Sequence, residues 1–507
     1  MTEEIQDAGG IPDLPPDEPM LYHWSVALEN SLYSAVILFL TVFLPLISME
    51  DTNAPMYALA AYAGLTGFAI YVFYWRWRRT TVTFRENDLH IFRDTLFKQD
   101  KKIPYNRIAS INVNRGVIDR VLGTSRLMFN INSSVNSVIP EAVVTLRTDL
   151  ADKIRHDLSR KIYGSNLDAH TEDNVIPSVV SISNRDIILH SFLSQPTVTA
   201  LTGVFFLGVS IYETYFMMAG GELTAMLILA LTFFITFGVI PITVQLIHYY
   251  NYKIYRIKDT VYIKCGMIRL YNTSFKVNKI NAVRLKSPFL ARLMGRSYLE
   301  AEVVGLGASD GNEKEITPLM CPLKDRRTID AVMSQVIPEF VYDRSPVKQP
   351  RIAVRTIYAR AAVLSLISVA GICSLIYQAV YLEVISSDLS KIFYILSATV
   401  VIVFFLHGEL SRRIVEMDTG EDHFSFLRGV LDRVLTTVAY DKVQTVRIRD
   451  GPLTRPYGLA TCRVRLLTAS GSAPVVSGYF RAKDLEVISE TVLERIKDGR
   501  YDYRAYL

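Results

Sequence analysis

Apolar residues in this chain fall into two patterns that follow one another three times. Long uninterrupted runs occupy roughly Ser31 to Ser48, Met56 to Trp75, Val198 to Met218, Leu223 to Ile247, Ala361 to Leu382 and Leu389 to Leu406. Runs near ~20 residues predict helices that cross the ~30 Å of bilayer hydrocarbon. They come in pairs, so three membrane hairpins are expected. After each pair, apolar and polar residues alternate at a spacing of two. That predicts half-buried strands, because successive side chains leave opposite faces of a sheet.

The strand segments are one unit used three times. Shifted by 172 and then 163 residues, the chain superimposes on itself without a gap. Leu89, Ile91, Leu96, Ile103, Ile108, Ile111, Val113, Leu127, Phe129 and Ile131 fall opposite Val261, Ile263, Ile268, Phe275, Ile280, Val283, Leu285, Leu299, Ala301 and Val303. The third copy supplies Phe424, Phe426, Leu431, Val438, Val443, Val446, Ile448, Cys462, Val464 and Leu466. Polar and glycine columns recur as well: Arg107, Lys279 and Lys442; Arg120, Arg292 and Arg455; Gly123, Gly295 and Gly458. Each copy then ends in an amphipathic helix, as in Leu150, Ile154, Leu158 and Ile162, or Leu485, Ile488, Val492 and Ile496, with one apolar stripe to cap a sheet. Hairpin turns are expected at Asn132 to Asn136, Gly305 to Asn312 and Ala469 to Ala473.

The expected organisation is an acidic tail (1–30), hairpin (31–75), module (76–165), linker (166–197), hairpin (198–247), module (248–338), linker (339–360), hairpin (361–408), module (409–500) and a short tail (501–507). The fold class is a six-helix membrane protein carrying three soluble α+β modules. At 507 residues, half of them apolar and 21% charged, the chain exceeds a single core. The first run is not read as a cleaved leader, since no basic stretch precedes it.

Charge predicts the orientation. The connections Met49 to Pro55, Ala219 to Glu222 and Glu383 to Asp388 contain no Lys or Arg, whereas Arg76, Arg78, Arg79, Lys253, Arg256, Lys258, Arg412 and Arg413 follow the second run of each pair. By the positive-inside rule, modules and both termini are expected to face the cytoplasm. These same cations are the candidate lipid-headgroup contacts. The modules differ in charge: 17 basic against 9 acidic residues over 76–165, 15 against 8 over 248–338, but 15 against 13 over 409–500. Attraction to an acidic leaflet, about 1 kcal/mol per basic residue near the surface, therefore favours the first two.

The segments IPYNRIASINVNRGVIDRVLGTSRLMFNI, FKVNKINAVRLKSPFLARLMGRSYLEAEV and VAYDKVQTVRIRDGPLTRPYGLATCRVRL share an apolar residue, two spacers, Asn or Asp, Arg or Lys, and Ile or Val, followed about a dozen residues later by Arg-x-x-Gly. This pattern resembles the bacterial pleckstrin-homology-like membrane-flanked domain. Three copies behind three hairpins resemble the YdbT-type membrane proteins. The resemblance implies a bent barrel of about seven strands with a carboxy-terminal helix in each module. It also implies a partner, a smaller membrane protein carrying one hairpin and one similar module.

Binding is the expected mode of action, either to such a partner, to a second copy of the chain or to anionic membrane lipid. Nucleic acid is not expected as a partner. An enzyme is not expected either: the eight His are scattered, and Cys265, Cys321, Cys373 and Cys462 form no CxxC, so neither a cofactor nor a metal is predicted. The stretch Val304 to Gly311 has glycines at the wrong spacing for a phosphate loop and reads as a turn. Transport has thin support, because Glu213, His248, His407 and Glu409 sit toward the ends of their runs. The repeated Arg, Lys and Gly columns are read as structural, with the guanidinium tying strand ends and the glycine relieving a turn.

Overall fold

The computed structural model describes residues 18–47, 54–131, 142–163, 182–219, 225–303, 317–381, 387–466 and 474–499. Residues 1–17, the centres of the three hairpin connections, the predicted turns at 132–136, 305–312 and 469–473, the stretch 304–311, the first half of the first linker and residues 500–507 lie outside them.

Six long helices carry the apolar runs: α1 (Ser25–Leu46), α2 (Ala54–Arg78), α3 (Thr197–Met218), α4 (Met226–Tyr249), α5 (Ala353–Tyr381) and α6 (Ser387–Ile414). The first five are long and apolar enough to cross a membrane. Helix α6 is of similar length but carries Glu409, Arg412 and Arg413 toward its end. Both α1 and α4 contain a π turn, Phe39–Phe43 and Ile235–Val239, and each turn ends just before a proline, Pro45 and Pro241. A proline lacks the N–H that would close the regular ladder, and the widened turn absorbs the misfit. Helices α3 and α4 approach closely at Gly203 and Gly238, where a Cβ on Gly203 would stand 2.9 Å from the Gly238 Cα.

Each strand segment forms two meanders. In the first unit these are β2 (Thr80–Phe84), β3 (Asp88–Arg93) and β4 (Gln99–Pro104), joined by the short β1 (Met20–Leu21), then β5 (Ile108–Arg115), β6 (Thr124–Ile131) and β7 (Ala142–Arg147). The second has β8 (Lys253–Ile257), β9 (Thr260–Cys265) and β10 (Leu270–Lys276), then β11 (Ile280–Ser287), β12 (Arg296–Val303) and β13 (Leu319–Asp325). The third has β14 (Val347–Lys348), β15 (Glu416–Thr419), β16 (His423–Arg428) and β17 (Arg433–Ala439), then β18 (Val443–Arg449), β19 (Leu459–Leu466), β20 (Val475–Val476) and β21 (Phe480–Arg481). Helices Thr148–Tyr163, Arg326–Val336 and Ala482–Lys497 close the units.

Cores lie mainly within units, with Ala439 of the third unit reaching the second core and Ala282 of the second reaching the third, but sheets run between units. Val82, Leu89, Ile111, Phe129 and Ile154 join both meanders and the helix of the first unit in one cluster; Ile254, Phe275, Leu299 and Ile329 do so in the second, and Phe424, Tyr440, Cys462 and Ile488 in the third. The hydrogen-bonded sheets are instead β7-β6-β5-β10-β9-β8 and β13-β12-β11-β17-β16-β15-β14. The expectation of a seven-stranded barrel in each unit is therefore corrected: among the described residues the meanders of one unit do not pair with each other. The second meanders of the first and second units instead extend into the first meander of the next unit, through β5 against β10 and β11 against β17.

Several expected boundaries also move. The region read as an acidic tail contributes β1 and the first turn of α1, held by the Trp77 indole donating to the Tyr22 carbonyl at 2.7 Å. The first linker contains a helix, Asn184–Leu193, whose Ile187 is buried in the second core and whose Asp186 pairs with Lys324 at 2.7 Å. The second linker contributes β14 and the start of α5, where Ala353 is fully buried.

Candidate functional site

The two junctions between units are the same junction. Leu270, Tyr271 and Asn272 on β10 stand opposite Arg115, Asn114 and Val113 on β5. Arg433, Val434 and Leu435 on β17 stand opposite Ser287, Lys286 and Leu285 on β11. Offsets of 163 and 172 residues convert one set into the other, so strand identity and register are both repeated. With the short β1 and β14 left out of the count, the fourth strand of the first and of the second unit (β5 and β11) is thus covered by the third strand of the next (β10 and β17). Two strands are left over among the described residues, β4 at one end and β18 at the other.

The uncovered β18 differs from its covered counterparts. Ile111 on β5 and Val283 on β11 are buried, whereas Val446 on β18 is only partly so; Ile448 is partly buried like its covered counterpart Leu285. Charge differs more. On β11, Arg284 pairs with Glu302, and Lys286 with Glu300 at 2.7 Å. The corresponding residues of the third unit are Arg447 and Arg449 facing Arg465 and Arg463, with Arg447 directly opposite Arg463. All four are exposed, and no described carboxylate lies within ion-pair distance of them. The columns at offset 163 carry this reversal in plain sight, but attention to the apolar columns passes over it.

The residues singled out in the sequence are dispersed. Gly123, Gly295 and Gly458 share left-handed φ values of 65°, 66° and 62°, which only glycine adopts without cost, and close the turn before β6, β12 and β19. The arginines three residues earlier do different things. Arg120 is exposed; Arg292 donates to the carbonyls of Val430 (3.4 Å) and Leu431 (3.1 Å) in the next unit; Arg455 pairs with Asp450 at 2.9 Å. Lys279 and Lys442 come close enough to interact, and burial together with Lys442 and Lys276 pushes Lys279 down to about 8. Arg107 is exposed.

Of the cations after each hairpin, Arg76, Arg78 and Lys253 are exposed. Arg79 faces Asp94 at 3.4 Å, and Arg256 is held by Glu339 (2.8 Å) and the Val336 carbonyl (2.8 Å). Lys258, also exposed, sits in a left-handed turn. Arg412 and Arg413 share one carboxylate, Glu409, at 2.6 and 2.7 Å. Burial raises the thiols of Cys265, Cys321 and Cys462 to about 12, which suits inert core residues. Among the described residues no group of three His, Cys, Asp or Glu is arranged to hold a metal.

This architecture has known relatives. A family model for the bacterial PH domain matches residues 35–162 and again 365–497, each match spanning a helical hairpin and the strand unit behind it. The chain belongs to the bacterial PH domain family. Within that family it is similar to the UPF0699 transmembrane protein YdbT of Bacillus subtilis (strain 168), at 20% identity over 344 residues, covering 63% of this chain and 68% of that protein. No solved structure matches it. The two family matches bracket the second unit, whose meanders supply both junctions.

Proposed function

We propose that this bacterial PH protein is a non-catalytic membrane scaffold. Its six helices span the inner membrane as three hairpins, its three PH-like modules lie on the cytoplasmic side, and its β18 edge receives a strand from a separate membrane protein carrying a similar module. The repeated junction carries this reading: β5 and β11 are each covered by the third strand of another unit in one fixed register, and β18, which holds the same place in the third unit, is covered by no strand among the described residues. Strand addition satisfies the backbone groups of an open edge and leaves side chains to choose the partner.

Charge argues for a partner and against a second copy. In the shared register, β4 of another copy would set Lys101 opposite Arg447, and like charges directly across a sheet are unfavourable. The partner's third strand is one with an acidic residue at that position. A photoreactive amino acid at Gln444, exposed on β18, tests this in native membranes. The expected adduct joins Gln444 to the third strand of a PH-like module in another membrane protein, and Arg447→Glu abolishes it. An adduct to β4 of a second copy, or none, overturns the reading.

A further inference from the structure

A cavity of about 810 Å³ lies where the third hairpin meets the third unit. Its walls are unlike one another. One is made by Leu364 on α5 and Phe404 on α6, apolar side chains that continue up the helices. The other is made by four arginines from separate elements: Arg360 on α5, Arg428 on β16, Arg449 on β18 and Arg463 on β19.

Two of these guanidiniums are held by specific contacts. Arg428 donates to the Val476 carbonyl at 3.1 Å, and Val476 stands opposite Arg463 in the β19–β20 ladder. Arg360 donates to the Tyr479 hydroxyl at 3.3 Å. Burial and then the neighbouring Arg360 charge hold Arg428 below the usual arginine value. The one carboxylate in the lining, Asp450, is engaged by Arg455 at 2.9 and 3.3 Å. All four are exposed, so solvent softens their mutual repulsion, but together they offer an anion several donors from different sides, and guanidinium forks match phosphate oxygens in pairs.

We propose that this cavity holds the phosphate of one anionic phospholipid, with the proximal part of its acyl chains against Leu364 and Phe404. The volume lies in the range of sites that enclose small ligands, about 300–1,000 Å³. The basic wall selects a phosphate, and the apolar wall selects one that carries a hydrocarbon chain. The site is distinct from the cations that follow each hairpin: Arg412 and Arg413 are occupied by Glu409, whereas Arg449 and Arg463 have no carboxylate within reach among the described residues. The inference stands apart from strand addition at β18, since a cavity and not an edge carries it.

The test uses the full chain, purified in a neutral detergent and examined by native mass spectrometry with added phosphatidylglycerol, phosphatidylcholine or inorganic phosphate. The expected result is retention of one phosphatidylglycerol that neither of the others displaces. Arg428→Gln and Arg463→Gln each weaken retention about tenfold, as loss of one charge-assisted contact implies, while Arg120→Gln, exposed in the first unit and outside the cavity lining, does not. An unfolding temperature of Arg463→Gln no lower than the parent's excludes loss of fold as the cause. Equal retention of phosphatidylcholine, displacement by inorganic phosphate, or arginine variants that bind as well as the parent overturns the proposal. Adducts at Gln444 are unaffected by either result.

Discussion

Arg447 on β18 lies directly opposite Arg463 on β19, at the position where the second unit sets Arg284 opposite Glu300. Two cations across a ladder repel, and their exposure limits the effect to about 0.2–1 kcal/mol. Arg463→Glu is therefore expected to raise the unfolding temperature of the purified protein at low salt, with the gain fading as salt is added. A substitution that lowers stability at low salt would show that the face already holds a compensating anion.

Asp432, in the turn between β16 and β17, caps a helix of another hairpin. Its carboxylate accepts the Thr197 backbone N–H at 3.0 Å and also the Thr197 hydroxyl, at the start of α3. A side-chain acceptor at a helix start is worth about 1 kcal/mol, and a negative charge at that end of the dipole adds to it. Asp432→Ala is expected to cost about 1–2 kcal/mol, and Asp432→Asn less. Because the contact joins the third unit to the second hairpin, limited proteolysis should cut the Ala variant faster between the two.

Gly203 and Gly238 let the α3 and α4 backbones touch, and small residues allow such approach between membrane helices. Gly203→Val places its side chain against backbone atoms at 2.9 to 3.3 Å, which no rotamer relieves. The helices must separate, and the yield of folded protein from membranes should fall sharply. Gly208→Val, one and a half turns further along with open space beside it, should be tolerated.

Much of the fold is legible in the chain because side-chain periodicity encodes burial. Leu89, Val261 and Phe424 share a column, and all three are fully buried. Gly123, Gly295 and Gly458 share another, and all three take left-handed turns. Pairing between β10 and β5 leaves no such trace, since backbone hydrogen bonds carry it and the alternation of apolar residues is the same whichever unit supplies the neighbour. The helix Asn184–Leu193 is hidden by the polar residues around it, although Ser183 and Asp186 form a capping box at its start. The basic cavity draws Arg360, Arg428, Arg449 and Arg463 from four elements. No spacing along the chain announces it.

His190 supplies a pH-dependent weakness in the second unit. It is 2% exposed, packs edge-on against Tyr249 (5.6 Å) and Tyr298 (5.1 Å), and its Nδ1 has no hydrogen-bond partner. Burial first, and then the Lys286 charge, lower it to about 3. The folded protein therefore keeps it neutral while the unfolded chain takes up a proton near pH ~6.5. Between those two values the unfolded state binds more protons, so stability is full above about pH 6.5 and falls as pH drops toward 3. The slope approaches about 1.4 kcal/mol per pH unit from this residue alone. His190→Phe keeps a ring between the two tyrosines and removes the titration. Thermal unfolding at pH 7 and pH 5 should show a larger loss for the parent than for the variant. Equal losses would mean that His190 is protonated in the folded state at pH 5.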